Sequence, residues 1–160
     1  MHSRKVIATL ALAGGLVAPM ALTAAPAAAM AGSCRVELFH IDAGNVADRD
    51  GQDELRFLVD GNLFPRINAN NFGMNAGDDG DPGDFEDPTS IIVNTQNVDF
   101  GLRETDGPVW GQGDLLGTVT GLGSTCAGLA TGATRTITRT LTGTEQTAYS
   151  YVVSLEMTAL

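Results

Sequence analysis

The chain has 160 residues, of which 43% are hydrophobic and 18% charged, and its 9 basic and 19 acidic side chains give a formal net charge of −10. Two of the basic residues are Arg4 and Lys5, so the chain after residue 29 carries 7 arginines, no lysine and a net charge of −12. This charge makes nucleic acid an improbable partner, and the missing lysine excludes Schiff-base chemistry from that part of the chain.

Residues 1–29 predict a secretory signal peptide. Arg4 and Lys5 precede an apolar run from Val6 to Leu22, and three alanines end the segment. A charged start, a short apolar stretch and small residues before the cleavage site are typical of cleaved signals. We therefore expect a secreted, extracellular protein with one domain at 30–160, a length that suffices for a single core.

Cys34 and Cys126 are the two cysteines of the chain. In an oxidising compartment, two cysteines in one small domain most often form a disulfide, and we predict that bond here. An alternative use of Cys34 is lipidation after the segment Ala31-Gly32-Ser33. We disfavour lipidation because alanine stands where leucine is usual in that motif.

The first strand is predicted at residues 35–41, where apolar residues alternate with polar ones. The alternation places on one face Val36, Leu38 and His40, and on the other face Phe39 and Ile41. His40 is the one histidine after residue 29. A lone histidine on a strand is more often a packing residue than a metal ligand or a base.

A hairpin is predicted next, with strands from Glu54 to Asp60 and from Asn62 to Ile67. The dipeptide Asp60-Gly61 is a typical turn between two such strands. Pro65 cannot donate a backbone hydrogen bond, so we expect the return strand to lie at a sheet edge or a bulge.

The segment from Asn68 to Asp87 predicts a long loop, because it is rich in Asn, Gly and acidic residues. Its acidic residues are Asp78, Asp79, Asp81, Asp84, Glu86 and Asp87. We favour a hydrated, self-repelling loop over a cation-binding one. If Phe72 and Met74 are exposed, the loop would instead be an interaction tip.

Residues 97–120 predict two strands joined by an acidic loop, after a short strand at 91–93. Apolar residues alternate with polar ones from Val98 to Leu102, and the return strand is expected at 118–120. The loop between them combines carboxylates with turn residues. Its carboxylates are Glu104, Asp106 and Asp114.

The C-terminal third predicts a second pair of strands. Threonines recur at every second position from Thr134 to Thr142, which suits a solvated sheet face. Arg135 and Arg139 fall on the other face, so we expect either a bulge or an edge position at which charge blocks aggregation. The closing strand is predicted over residues 149–157, with Met157 on the face opposite Leu155.

Together these signals predict an all-β fold, a single antiparallel two-sheet sandwich of about eight strands with one disulfide. The chain lacks Gly-x-Ser-x-Gly, His-Glu-x-x-His and phosphate-loop motifs. We therefore expect a protein that is not an enzyme, with a small hydrolase of an unrecognised type as the remaining enzymatic alternative.

The run Glu104-x-Asp106-x7-Asp114-Leu-Leu-Gly resembles the third acidic loop of C2 and C2-like β-sandwiches. The acidic residues Asp48, Asp50 and Asp53 stand where such a domain carries its first calcium loop. The resemblance covers most of residues 35–157 and implies a C2-like sandwich with calcium as its cofactor. The ligands that it implies are Asp48, Asp50, Glu104, Asp106 and Asp114.

As a small secreted β-sandwich with a single disulfide, the chain also resembles the adaptor subunits of umbrella-shaped bacterial toxin particles. This resemblance implies a secreted protein-interaction module, an adaptor or structural subunit of an extracellular assembly, whose partner is another secreted protein. Trp110 lies in a glycine-rich loop, and tryptophan is strongly enriched at binding hot spots. We therefore expect Pro108, Val109 and Trp110 to form part of the contact, and the alternative for Trp110 is that it folds back over the end of the sandwich as a plug. A calcium-dependent binding module is the alternative function.

Overall fold

The computed structural model describes residues 29–66, 71–93, 95–105 and 111–160. In these ranges, no helix combines the length and the apolar character that a membrane span requires. The predicted contact at Pro108, Val109 and Trp110 lies outside the described residues, as does the predicted signal peptide up to residue 28.

The described residues form short and long strands with two short helical turns between them. In chain order the elements are β1 (Ser33–Asn45), β2 (Gln52–Val59), β3 (Asn62–Phe64), β4 (Phe72–Asn75), β5 (Asp79–Gly80), a 3-10 turn η1 (Pro82–Phe85), β6 (Thr89–Val93), β7 (Val98–Glu104), β8 (Asp114–Gly121), α1 (Gly123–Ala127), β9 (Thr134–Thr144) and β10 (Ala148–Ala159).

The strands form two antiparallel sheets of five strands each. In sheet 1, β10 lies between β1 and β9, and the short strands β5 and β6 pair with the other side of β1. In sheet 2, β7 lies between β2 and β8, and β3 and β4 pair with the other side of β2. The predicted all-β, antiparallel two-sheet architecture is confirmed, with two short strands, β4 and β5, that the sequence did not predict.

The core lies between the two sheets because alternate residues of each long strand point inward. On β10 the buried residues are Tyr151, Val153, Leu155, Met157 and Ala159. Met157 therefore shares the buried face with Leu155, and its predicted position on the opposite face is wrong. On β7, Val98, Phe100 and Leu102 are buried as the alternation predicts.

β1 departs from the predicted alternation at a β-bulge. Its pairing with β10 shifts between Leu38 and His40, which leaves Phe39 without a partner in the ladder and turns its ring outward. The extra residue reverses the faces that follow, so Ile41 is buried with Leu38 and His40 lies on the outer face. The predicted grouping of Ile41 with Phe39 fails because a bulge adds one residue to the period of two.

Residues 71–87 are folded, so the favoured prediction of a hydrated loop is wrong for this part of the segment. Met74 and Phe85 are fully buried. The Phe85 ring meets Phe57 and Phe72 edge to face, with centroids 5.0 and 5.1 Å apart. These apolar contacts hold the segment onto the sandwich.

The acidic side chains of the same segment hydrogen-bond to nearby backbone groups. Asp78 accepts bonds of 2.8 Å from both the backbone N and the Nδ2 of Asn75, and these bonds lower the pKa of Asp78. Asp84 accepts from the backbone N of Asp81 at 2.9 Å in a capping box at the start of η1. Local hydrogen bonding thus replaces the repulsion that the composition suggested.

The predicted disulfide between Cys34 and Cys126 is confirmed. Both residues are fully buried, and their Cα atoms are 5.8 Å apart. The bond ties α1 to the start of β1. The chain beside it is also paired, because the backbone N of Ala31 donates to the oxygen of Leu129 and the backbone N of Thr131 donates to the oxygen of Ala29, each at 3.0 Å.

β9 forms one edge of sheet 1, and its exposed threonine row covers the outer face as predicted. Arg135 and Arg139 are exposed on the opposite face, while Ile137 packs partly against the core and Leu141 is buried. The prediction of a charged edge strand is therefore confirmed.

Candidate functional site

Three carboxylates meet at one end of the sandwich, and we call them the acidic cluster: Asp48, Glu54 and Glu104. Asp48 lies in the connection from β1 to β2, Glu54 near the start of β2, and Glu104 at the end of β7. One carboxylate oxygen from each lies within 4.8 Å of the others. Glu104 is 1% exposed and Asp48 7%, so the charges are largely removed from water.

Asp53 holds the loop that carries Asp48. Its side chain is fully buried and accepts hydrogen bonds from the backbone N of Ala47 at 2.7 Å and of Asp48 at 2.8 Å. The phenol of Tyr151 on β10 donates a short bond to the same carboxylate. Asp53 is therefore a positioning residue that links the loop, β2 and β10.

A further contact fixes the Asp48 carboxylate itself. Nε2 of Gln146, in the turn between β9 and β10, donates to Oδ1 of Asp48 at 2.9 Å. The next residue anchors the turn, because the backbone N of Thr147 donates to the oxygen of Ala47 at 2.7 Å. The acidic cluster thus sits where connections of both sheets converge.

Burial and the negative charge at this end raise the pKa of the Tyr151 phenol. Burial of the phenol is the largest cause, followed by its hydrogen bond to Asp53 and by the charges of Asp53, Glu104 and Asp48. Each of these interactions favours the protonated phenol over the phenolate.

Alkaline unfolding tests this effect on Tyr151. A tyrosine in an unfolded chain ionises near pH ~10, and the raised pKa in the fold keeps Tyr151 protonated above that value. Its stabilising contribution is therefore complete below pH ~10, and above it the free energy of unfolding should fall by about 1.4 kcal/mol per pH unit. We expect Tyr151→Phe to remove most of this slope in denaturant unfolding measured between about pH 8 and 11.

Tyr149→Phe is the matched control for that measurement. Tyr149 is half-buried, its OH donates to the Leu116 oxygen at 2.7 Å, and its pKa is raised by burial and by the charge of Glu145. Because none of the cluster carboxylates contributes to the pKa shift of Tyr149, its replacement should leave the larger part of the alkaline slope. Equal slopes in wild type and Tyr151→Phe would contradict the assignment.

The structure brings together two of the five predicted calcium ligands, Asp48 and Glu104. Asp50 is exposed, accepts a bond from the backbone N of Gln52 at 3.1 Å and is not a member of the acidic cluster. Asp114 is paired opposite Glu104 in the ladder but is exposed and is not a member either. Asp106 lies outside the described residues.

Glu54 is the cluster member that the sequence did not predict. It follows the first acidic loop directly, and the alternation from Glu54 to Asp60 predicts it as a strand residue only. A fourth acid, at the strand start and directly after a predicted ligand loop, is the available signal. Asp53, by contrast, was grouped with the calcium loop, and its oxygens are instead engaged by backbone N–H groups and a phenol.

The base of the β7–β8 loop is closed by the Arg103 side chain, which donates hydrogen bonds to backbone oxygens. Nε of Arg103 donates to the oxygen of Gln112 at 2.7 Å, and its Nη2 donates to the oxygen of Gly113 at 2.6 Å. Gly113 has a φ of +69° and packs directly on the backbone of Glu104. This close approach fixes where the strand that carries Glu104 ends.

Carboxylate oxygens are the ligands that hard divalent cations prefer, and calcium accepts them in flexible geometry. The acidic cluster therefore fits a calcium or magnesium ion better than it fits zinc, which prefers nitrogen and sulfur ligands. The residues that would hold such an ion are Asp48, Glu54 and Glu104.

A second feature lies on the outer face of sheet 1, and we call it the β6 corner: Phe39, Ile91, Val93 and Leu160. These four are among the exposed large hydrophobic residues, with Ile91 the most exposed at 64%. Val93 pairs with Ser33, and the backbone N of Leu160 donates to the Ser33 oxygen at 2.9 Å, so the three lie side by side. A groove lined by Phe39 and Thr89 continues this surface.

The fold and these sites define a class, an antiparallel two-sheet β-sandwich joined internally by one disulfide, with an acidic cluster at one end and an apolar corner on one face. The chain matches no known family model, no curated protein and no solved structure. Its function is therefore argued from the sites themselves.

Proposed function

We propose that the protein is a secreted, non-enzymatic protein-interaction module, an adaptor or structural subunit of an extracellular assembly. The observation that supports this proposal is the β6 corner, where Ile91, Val93 and Leu160 are exposed near one another and Phe39 is exposed in the adjoining groove. Large exposed hydrophobic residues that cluster on one face mark interaction sites more often than scattered ones do.

Two further features are consistent with such a module. A buried disulfide suits the oxidising environment outside the cell. The net charge of −12 after residue 29 keeps a protein with an exposed apolar corner dispersed in solution.

The proposal predicts that the protein retains a secreted partner. Residues 30–160, immobilised and incubated with culture supernatant of the producing cells, should retain a stoichiometric protein. A Phe39→Ser Ile91→Thr variant should lose most of it, because the largest apolar contacts of the β6 corner are removed. Leu115→Thr is the matched control, since Leu115 is exposed to a similar degree but lies on β8 of sheet 2.

Two results would contradict this proposal. Retention of no protein above the level seen with an unrelated β-sandwich would remove the support for an adaptor. Equal loss of the partner in the Leu115→Thr control would show that the contact is not specific to the β6 corner.

A second candidate function is a calcium-dependent binding module, and the acidic cluster favours it. Three carboxylates from three connected elements approach within 4.8 Å of one another, and two of them are buried. Asp53 and Gln146 orient the ligand loop through hydrogen bonds to Asp48. A bound cation would offset the mutual repulsion of these charges.

Thermal melts with calcium and with chelator test the second candidate. Extracellular calcium modules bind with Kd values of about 10⁻⁴ to 10⁻³ M, and ligand at about 100 times Kd stabilises the folded state by about 2.7 kcal/mol. We therefore expect the melting temperature to rise by roughly 5–10 °C at saturating calcium. Glu104→Gln should remove the rise.

Asp50→Asn is the matched control for the calcium experiment. Asp50 is an acid of the same loop, but its carboxylate caps a backbone N–H and is not a member of the acidic cluster. The variant should keep the full calcium shift. A shift that survives in Glu104→Gln, or that disappears in Asp50→Asn, would place the ion elsewhere.

A further inference from the structure

We propose that β6 is a strand-addition site, where an extended segment of a partner protein pairs with the outer edge of sheet 1. The segment would have apolar residues at alternate positions and at least one lysine or arginine. This inference rests on the proposed interaction function and specifies its mode and the chemistry of its partner.

The outer edge of β6 presents backbone groups to a partner. Among the described residues, β6 pairs with β1 alone. The backbone N of Val93 donates to Oε1 of Gln96 at 3.4 Å, and the backbone N of Gln96 donates to the Val93 oxygen at 3.0 Å. The N–H and C=O of Val93 therefore point away from β1. Because these directions alternate along an antiparallel strand, the N–H and C=O of Ile91 also point outward.

The other side of β6 confirms this alternation. The backbone N of Leu38 on β1 donates to the oxygen of Pro88 at 3.0 Å, so residue 88 faces β1. Because the direction alternates along the strand, the backbone N–H and C=O groups of residues 89, 91 and 93 point away from β1. Gln96 hydrogen-bonds to the outward groups of Val93, whereas Thr89 and Ile91, whose backbone groups also point outward, are exposed residues.

Strands β9 and β6, at the two edges of sheet 1, differ in the charged residues that protect an edge against strand addition. β9 carries Arg135 and Arg139, which resist the approach of another strand by keeping charge at the edge. The β6 sequence, Thr-Ser-Ile-Ile-Val, contains no charge and no proline. β6 is thus the edge that lacks the protective charges of β9.

Apolar surface beside this edge would receive the side chains of the added strand. Ile91 and Val93 point to the outer face of sheet 1, where a cross-strand neighbour would pack against them. A groove of about 370 Å³ opens beside Thr89, with Phe39, Pro82 and Pro88 in its lining. Alternate apolar residues of a partner strand fit this surface.

The charges around the edge select a basic partner. Asp60 lies beside β6 because its carboxylate accepts a short hydrogen bond from the Ser90 hydroxyl. Glu37 and Asp87 line the groove. Arg35, the cation of the groove, is paired with Glu37, with Nε and Oε2 3.0 Å apart, so these two charges offset each other. The net negative charge at the edge therefore comes from Asp60 and Asp87. A second copy of residues 30–160 would bring a further charge of −12, which opposes self-association.

Selection from a displayed library of random segments of about ten residues, the length of a long strand, tests the inference without a known partner. The selected segments should alternate apolar residues and include lysine or arginine. Ile91→Pro should weaken their binding by about tenfold or more, because it removes one outward donor. It should leave the melting temperature nearly unchanged, since the Ile91 N–H does not bond to β1 and proline is tolerated on edge strands.

Ile91→Thr is the matched control, because it removes the apolar side chain and keeps the N–H. Its binding should fall less than that of Ile91→Pro, and the bound segment should slow hydrogen exchange at the amides of Thr89 and Ile91 in the wild type. Segments that bind Ile91→Pro as well as the wild type, or a selection without the alternating basic pattern, would overturn strand addition while the adaptor proposal stands.

Two further outcomes separate the remaining possibilities. If neither selected segments nor secreted proteins bind, the adaptor proposal fails together with this inference. If the protein alone sediments as a dimer and Ile91→Pro is a monomer, the occupant of the edge is a second copy, and the assignment to a basic partner is wrong.

Discussion

Removal of the disulfide should lower the free energy of unfolding by about 3–5 kcal/mol, measured as the shift in denaturant unfolding of a Cys34→Ala Cys126→Ala variant. The bond closes a loop with a sequence separation of 92. In the chain-entropy model a loop of this length contributes about 4–5 kcal/mol, because the cross-link restricts the unfolded chain. That is a large share of the stability of a small domain, typically ~5–15 kcal/mol.

A second variant separates chain entropy from packing. Both cysteines are fully buried, so alanine also leaves unfilled space around α1. The variant Cys34→Val Cys126→Val restores much of that volume without a cross-link. If the entropic account holds, both variants lose nearly the same stability.

The location of the loss can also be measured. Hydrogen exchange should accelerate most in α1 and in the pairing of residues 29–31 with 129–131, since the bond holds these segments against β1. A total loss below about 1 kcal/mol in both variants would contradict the prediction.

The sequence predicted the fold class because most strands have one buried face and one solvated face. Val98, Phe100 and Leu102 on β7 show this period of two directly, and the structure buries all three. The disulfide was predictable for a different reason, since two cysteines in a chain with an expected secretion signal have one pairing.

The sequence failed where one inserted residue or one tertiary contact decides the outcome. The bulge at Phe39 cannot be read from local alternation, because it arises from pairing with β10. The segment 71–87 was expected to be hydrated because acidic residues dominate its composition. Its fold depends on Phe85 reaching Phe57, a contact between residues 28 positions apart in sequence.

The sequence predicted only part of the acidic cluster, because the direction of each acidic side chain depends on tertiary contacts. The resemblance to C2-like sandwiches indicated the loops that carry Asp48 and Glu104, because in such a sandwich these loops lie at one end. Spacing does not tell which acid of a loop points inward. The Asp53 carboxylate accepts hydrogen bonds from the backbone, and the Asp50 carboxylate accepts one from the N–H of Gln52. Glu54 is the acid that lies in the cluster.

Gly113→Ala should be among the most damaging single substitutions at the site, with a loss of about 3–5 kcal/mol in the free energy of unfolding. An alanine Cβ at this position would overlap the backbone oxygen of Glu104 and lie 2.6 Å from Cγ2 of Thr105. The backbone must move, because a peptide oxygen of a paired strand cannot turn aside as a side chain can. The φ of +69° adds strain for any residue with a Cβ.

Gly61→Ala separates the two causes of this loss. Gly61 has a similar φ of +78°, but nothing lies within 4 Å of the position that a Cβ would take. It should therefore lose about 1 kcal/mol, from backbone strain alone. Because the overlap at Gly113 displaces the end of β7, Gly113→Ala should also reduce the calcium shift in melting temperature, and Gly61→Ala should leave that shift intact. Equal losses of stability in the two variants would show that the contact with Glu104 is not the cause.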